Sequence, residues 1–110
     1  MRTPPRLALI DYYLRIKEAK KAVAAAQDAL AAMPDKPEIL DALGKSQELS
    51  GDINQALAAY GKLTALQPAS PLAQMRIANL HLNNKNNEEA VKSLRKALEI
   101  KPDLLEAQRA

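Results

Sequence analysis

The sequence contains no cysteine, no phenylalanine and no tryptophan, and it has only three glycines. Without cysteine the chain has neither a disulfide framework nor a thiolate metal site. The scarcity of glycine and the absence of alternating β-branched runs argue against strands. No apolar stretch approaches the ~20 residues needed to span a bilayer. Most of the apolar residues are alanine and leucine, which is typical of closely packed helices, so the composition predicts an all-α fold.

The first six residues lack the basic, apolar and small-residue segments of a secretion signal. This leaves two alternatives, a cytoplasmic protein or an internal piece of a longer chain. The net charge of +3 is mild, and the basic residues are mixed with acidic ones. A solvated outer face is therefore expected rather than a surface that binds nucleic acid.

Three prolines recur at an interval of 34 residues, and three alanines ahead of them recur at the same interval. We call this interval of 34 residues the period. These residues are Pro34, Pro68, Pro102, Ala22, Ala56 and Ala90. A period of this length indicates that one supersecondary unit is stacked on itself. Stacked units form extended surfaces instead of closed catalytic pockets, which favours binding over catalysis.

Each period predicts two helices joined by a short turn. The predicted repeats cover residues 3–36, 37–70 and 71–104, and residues 105–110 are expected to begin a further helix. In the middle period, Gly51 is expected to take the left-handed conformation that ends the first helix. In the third period, Asn84 or Asn86 is expected to do so. The first period has neither glycine nor asparagine over residues 16–19, so a less sharp break is expected there.

Small residues mark the places where the two helices of a repeat are expected to cross. Ala22, Ala56 and Ala90 are each predicted at this crossing, on the second helix of their repeat. Only a small side chain there lets the two backbones approach closely. Gly44 and Ala78 are predicted to do the same on the partner helix.

Two helices of roughly fourteen residues, repeated every 34, resemble the tetratricopeptide repeat. The residues that carry this resemblance include Leu43, Gly44, Gly51, Ala56, Tyr60, Pro68, Ile77, Ala78, Ala90, Leu94, Pro102, Leu9, Tyr13, Ala22 and Pro34. The resemblance implies an α-solenoid of about three stacked helix-turn-helix units, with six to seven helices.

The segments 51–56, 66–68 and 96–105 are also similar to the tetratricopeptide lipoproteins of bacterial exosortase (PEP-CTERM) systems. This narrower resemblance implies a non-catalytic interaction scaffold in a periplasmic or membrane-anchored protein, linked to exopolysaccharide and protein sorting. A cytoplasmic location remains the alternative.

The first helices of stacked repeats line a concave groove, and their inward residues are the candidate ligand site. This predicted groove consists of Leu7, Asp11, Leu14, Glu38, Asp41, Lys45, Glu48, Leu72, Met75, Arg76, Asn79 and Leu82. An acidic centre with apolar flanks suits a protein segment carrying Lys or Arg between apolar anchors. The alternative is that Glu38, Asp41 and Glu48 are ordinary solvated carboxylates, with Asp41 and Lys45 forming a weak i,i+4 pair.

No catalytic residues, metal site or cofactor are predicted. His81 is the single histidine, and with no second ligand it is interpreted as a spacer in its helix. Chaperone-binding members of the resembled family hold a C-terminal carboxylate with a set of Lys, Asn and Arg side chains. At the matching places this chain has Leu7, Asp11, Ala42 and Leu72, and only Arg76 agrees, so that type of binding is not expected.

The expected partner is a protein or peptide, without membrane insertion. The face formed by Val91, Leu94 and Leu98 is expected to be thinly covered, which suggests a homo-oligomer through the C-terminal edge. One alternative is that the repeats act only as a spacer in a longer solenoid. A less favoured one is nucleic-acid binding through the basic outer face, which has no aromatic residues for base stacking.

Overall fold

The computed structural model describes residues 5–102, and regular structure there consists of six helices and no strand. The helices are α1 (Pro5–Arg15), α2 (Ala19–Ala32), α3 (Pro37–Ser50), α4 (Ile53–Leu66), α5 (Leu72–Asn83) and α6 (Asn87–Ile100). The chain divides between Leu66 and Gln67 into two compact units, the first with α1 to α4 and the second with α5 and α6. The predicted all-α repeat fold is confirmed. The further helix predicted over residues 105–110 lies outside the described residues.

Proline sets several of the helix boundaries. Each second helix ends two residues before the proline of its period, so α2, α4 and α6 stop ahead of Pro34, Pro68 and Pro102. Proline lacks the amide hydrogen that would continue the ladder, and it disfavours helical geometry in the residue before it. At the other end of a helix, Pro37 occupies the first turn of α3. Its missing amide costs nothing there, because first-turn amides have no intrahelical partner.

The three turns within the helix pairs share one geometry. Each has a residue with positive φ, namely Lys17 (61°), Gly51 (87°) and Lys85 (63°), and these residues are one period apart. The next residue then donates its amide to a carbonyl five residues earlier in the chain. These bonds join Glu18 to Tyr13 at 2.9 Å, Asp52 to Gln47 at 2.9 Å and Asn86 to His81 at 2.8 Å. This pattern is a Schellman motif, which satisfies carbonyls at the end of a helix.

Two predictions about these turns are wrong. Asn84 and Asn86 have negative φ angles of −98° and −96°, and Lys85 between them takes the left-handed conformation. The first turn closes as sharply as the others, through Lys17. The physical reason is that the hydrogen bonds at the helix end determine which residue must be left-handed. They outweigh the roughly 1–2 kcal/mol that a β-carbon costs in that conformation.

The core of the first unit lies where α3 packs against α1 and α2. Its buried residues are Ile10, Ala26, Ala29, Ile39, Ala42, Leu43 and Ala59. Leu7, Leu14, Val23 and Leu30 pack around this cluster and remain partly exposed. Most of the central positions are alanine, so the helices come close together with little side-chain volume between them. The periodic alanines Ala22, Ala56 and Ala90 are all fully buried.

Candidate functional site

An open hollow lies between α5 and α6 in the second unit. It has a volume of about 280 Å³ and is lined by Leu72, Met75, Arg76, Ala78, Asn79, Leu82 and Leu94. Leu72, Leu82 and Leu94 are 38%, 49% and 39% exposed, which is high for leucine. We call this feature the α5–α6 hollow. Its floor and walls are mainly apolar, and Arg76 and Asn79 add polar groups.

The corresponding place on α3 and α4 is filled by an aromatic ring. Gly44, Glu48 and Tyr60 stand one period before Ala78, Leu82 and Leu94. The Tyr60 ring is fully buried and lies over Gly44, where an added β-carbon would come within 2.7 Å of ring atoms Cδ1 and Cζ. The Tyr60 hydroxyl donates a hydrogen bond to Glu48 Oε1 at 3.1 Å. Glycine at position 44 therefore makes room for the ring.

The structure places the predicted groove residues of α5 together around the hollow. Leu72, Met75, Arg76, Asn79 and Leu82 all line it. Sequence reasoning placed Leu94 on the thinly covered C-terminal face and not in the groove, because the groove prediction used first helices only. The available signal was the spacing of one period between Tyr60 and Leu94. This spacing places Leu94 at the position of Tyr60, whose side chain lies over the first helix of its own pair.

The predicted carboxylates of α3 have different surroundings. Asp41 pairs with Lys45, with 3.5 Å between Oδ2 and Nζ, and its side chain is only 15% exposed. Glu48 is half-buried and accepts the Tyr60 hydrogen bond. Glu38 is exposed in the first turn of α3, where negative charge is favourable at the positive end of the helix dipole. Glu38 is thus the most accessible of the three carboxylates.

The predicted groove residues of α1 divide between surface and core. Asp11 is exposed, whereas Leu7 and Leu14 are half-buried and pack against the core cluster of the first unit. Both leucines therefore already contact neighbouring side chains of the same unit. Of these three residues, Asp11 is the one that offers an exposed side chain.

Two buried polar atoms occur at equivalent positions in successive periods. Gln47 Oε1 and His81 Nδ1 are buried without a hydrogen-bond partner in the described part of the chain. His81 itself is half-buried near the end of α5. Within residues 5–102, no group of three acidic, histidine or cysteine side chains is arranged to hold a metal ion. No helix of that range has the length and apolar character needed to cross a membrane.

The sequence of the repeats matches the model of a known protein family. The sequence model of the tetratricopeptide repeat family matches residues 41–104, more than half of the chain. The chain belongs to the tetratricopeptide repeat family. A comparison with curated protein sequences gives no significant match.

Several solved structures superpose on this chain and have the same fold. YrrB, described as a tetratricopeptide repeat protein with an unusual peptide-binding site, superposes with a TM-score of 0.81 at 22% identity, over 96% of this chain. MamA superposes with a TM-score of 0.78 at 26% identity, over 92% of this chain. The type III secretion translocator chaperone SycD of Yersinia enterocolitica gives 0.81 at 18% identity, over 96% of this chain and 82% of its own. This chain spans only 56% of YrrB and 59% of MamA.

Proposed function

We propose that this tetratricopeptide repeat chain is a non-catalytic interaction scaffold, and that its α5–α6 hollow receives apolar side chains from a protein or peptide. The observation that carries the proposal is the exposure of Leu72, Leu82 and Leu94 around one concave surface. Exposed apolar side chains that cluster on one concave surface are a feature of ligand-binding grooves. No cofactor is required for this function.

The lining of the hollow indicates what kind of ligand suits it. Met75 has a flexible thioether side chain that adapts its shape to different apolar groups. Asn79 is exposed at the same surface and offers an amide that can bond to the main chain of a bound segment. An apolar surface with a few polar groups at its edge is the usual composition of a peptide-binding site. The preferred ligand is a segment with apolar residues on one side.

The carboxylates of α3 are proposed as a separate contribution to binding. Glu38 is exposed, and Asp41 and Glu48 lie further along the same helix. A ligand that carries Lys or Arg would be attracted to this helix, which affects association rate and specificity more than affinity. We also propose that Leu7, Asp11 and Leu14 on α1 belong to a ligand-binding face. A Glu38→Gln variant tests the α3 contribution by itself, through loss of preference for basic ligands.

The named functions of similar proteins support an interaction role in general terms. YrrB is described as having a peptide-binding site, and SycD is described as a chaperone of secretion translocators. Neither identity is high enough to transfer a ligand. These comparisons therefore support only a general role in protein interaction.

A place in an exosortase system, with a periplasmic or membrane-anchored location, is the finer part of the proposal and comes from the resemblance of three short segments. The test is fractionation of cells that produce the natural gene product. Recovery in the periplasmic or membrane fraction supports this location. Recovery in the cytoplasm favours the alternative and counts against the exosortase association.

The decisive experiment for the hollow is selection from a displayed library of random peptides. The natural chain is compared with Met75→Glu, which places a carboxylate in the hollow, and with Ala58→Glu as the control. Ala58 is exposed on α4 and does not line the hollow. We expect enriched peptides with apolar residues on one side, bound at least about tenfold more weakly by Met75→Glu, because burying an unpaired carboxylate is unfavourable.

If all three chains select the same peptides, or none selects any, the hollow is not a ligand site. The spacer alternative then takes its place. Nucleic-acid binding would be indicated instead by oligonucleotide affinity that falls steeply as salt is added.

A further inference from the structure

A slot opens in the first unit, between the last turn of α4 and the loop that joins α2 to α3. It has a volume of about 240 Å³ and is lined by Pro34, Asp35, Leu40, Lys62, Ala65 and Leu66. All six residues belong to the first unit. Leu40 is only 2% exposed, whereas Leu66 is 41% exposed. We call this feature the α3–α4 slot.

The face of α4 that lines the slot is not the face that a second helix uses to pack against the next repeat. The three α4 residues of the slot stand one period after three residues of α2, namely Asp28, Ala31 and Ala32. Helix α3 packs against α2, yet these three α2 residues are all exposed. The core cluster takes Ala26 and Ala29 from α2 instead. Packing of successive repeats in this register therefore leaves the slot face uncovered.

The loop side of the slot has an ordered backbone. The Lys36 amide donates to the Met33 carbonyl at 3.3 Å, which closes a turn with Pro34 and Asp35 at its two central positions. Proline is favoured at the first central position of such a turn, because its ring fixes φ near −65°. The backbone that carries Pro34 and Asp35 is thus ordered before a ligand binds, and this lowers the entropic cost of binding.

Two opposite charges border the slot. Asp35 lies on the loop and Lys62 on α4, and both residues are exposed. Within residues 5–102, neither of them belongs to an ion pair. The remaining four lining residues are apolar. The surface that complements this slot has an apolar group with a basic group on one side and an acidic group on the other.

We propose that the α3–α4 slot binds one large apolar side chain, a Phe or a Leu, from a protein segment in which a basic and an acidic residue flank that side chain. The basic residue faces Asp35 and the acidic residue faces Lys62. An apolar cavity of about 150 Å³ holds benzene, so a slot of about 240 Å³ has room for one such side chain. This site goes beyond the proposed function, because the slot and the α5–α6 hollow share no lining residue.

The test uses short synthetic peptides with one central residue and two flanking charges. The central residue is Phe, Leu or Ala. The flanking charges are one basic and one acidic, two basic, or two acidic. Binding is measured from nuclear magnetic resonance shift changes of the isotope-labelled chain, because a single buried side chain gives weak binding, with a Kd on the order of 1 mM.

We expect the natural chain to bind the Phe and Leu peptides of mixed charge at least about fivefold more tightly than the matching Ala peptide. The shift changes are expected at Asp35, Lys62 and Ala65. Ala65→Glu places a carboxylate in the slot and should abolish these changes. Ala58→Glu is the matched control, because Ala58 is exposed on the same helix and does not line the slot.

Two charge variants give a readout that loss of folding does not imitate, because each should gain a new preference. Asp35→Lys gives the slot two basic groups and should favour the peptide with two acidic charges. Lys62→Glu gives it two acidic groups and should favour the peptide with two basic charges. The natural chain should favour the mixed peptide, which presents both charges in either binding direction. Each change of preference is expected to be about threefold, since these charges are exposed.

Three results would overturn the inference. The first is a natural chain whose slot residues show no shift changes at about 10 mM peptide, a concentration that reveals even a millimolar Kd. The second is Ala65→Glu binding the peptides as tightly as the natural chain does. The third is that Asp35→Lys and Lys62→Glu keep the charge preference of the natural chain. The selection with Met75→Glu tests the hollow separately, so failure of the slot and failure of the proposed function are distinguishable.

Discussion

The helix pairs α3–α4 and α5–α6 have matching positions one period apart, but they differ in what lies between their helices. In the first pair a buried ring lies there, and in the second pair there is an open hollow. In α3–α4, Gly44 lies beneath the fully buried ring of Tyr60. In α5–α6, Ala78 and Leu94 occupy the same two positions and line an open hollow. An added β-carbon at position 44 would meet the Tyr60 ring, whereas the β-carbon of Ala78 has a leucine opposite it in sequence register. The comparison teaches that two helix pairs of one register can carry different surfaces, depending on the side chains at two matching positions and on what packs over them.

The largest effect is expected from Tyr60→Leu, which gives α3–α4 the covering side chain of α5–α6. Removing a fully buried ring creates a cavity and should lower the free energy of unfolding by about 3 kcal/mol. Urea-induced unfolding followed by circular dichroism measures this. A loss below about 1 kcal/mol, the level of a minor core change, would mean that the ring is not tightly packed.

Gly44→Ala tests the other half of the pair. Its new β-carbon would meet the Tyr60 ring, and overpacking of this kind costs about 2 kcal/mol. Gly61→Ala is the matched control, because a β-carbon on Gly61 meets no atom within 4 Å. That variant should stabilise α4 by about 1 kcal/mol, since alanine is the better helix former.

The double variant Gly44→Ala/Tyr60→Leu sharpens the comparison, because it reproduces the residue pair found at Ala78 and Leu94. Its destabilisation is expected to be smaller than the sum of the two single changes by at least about 0.5 kcal/mol. Strict additivity would show that positions 44 and 60 do not act together in α3–α4.

A smaller gain is expected where the turns of the two pairs differ. Lys85→Gly should stabilise the protein by about 1 kcal/mol. Lys85 holds the left-handed conformation at φ 63°, and glycine adopts that conformation without steric cost. Gly51→Lys should destabilise by a similar amount. Thermal unfolding of both variants checks the signs. If Lys85→Gly destabilises, contacts of the lysine side chain outweigh its backbone strain.

The smallest effect is expected from Tyr60→Phe, which keeps the ring and removes the hydroxyl that donates to Glu48 at 3.1 Å. Because Glu48 is half-buried and reaches water, the loss should be about 0.5 kcal/mol. Comparison with Tyr60→Leu in the same urea experiment separates the hydrogen bond from the packing of the ring. A loss as large as that of Tyr60→Leu would assign the stability to the hydrogen bond instead.

The sequence was a reliable guide to the helices and a weaker one to the turns. Pro34, Pro68 and Pro102 mark where the second helices end, because proline acts locally on the backbone. The left-handed residues were misassigned in two turns, since asparagine was expected and Lys17 and Lys85 take the conformation. Intrinsic preference gave way there to hydrogen bonds at the helix end. Counting one period in each direction from Gly51 would have located both lysines.

The candidate site remains a prediction, and the structure shows only where its residues lie. First-helix residues such as Leu72 and Met75 were expected on a binding face, and they line the hollow. Leu7 and Leu14 were expected on the same kind of face, and they are half-buried against the core of the first unit. Periodicity places residues on one side of a helix. It does not tell how closely the neighbouring helix covers that side.

The sequence by itself determined the all-α fold, the repeat period and the positions of most helix ends. These follow from local causes, namely the backbone restrictions of proline and glycine and the spacing of apolar residues. Only the tertiary structure decided that Tyr60 is fully buried while Leu94 is exposed, and that Leu9, Tyr12 and Ile16 of α1 are exposed. Those outcomes depend on side-chain volumes that meet from different helices, and packing of this kind is a property of the pair of residues in contact.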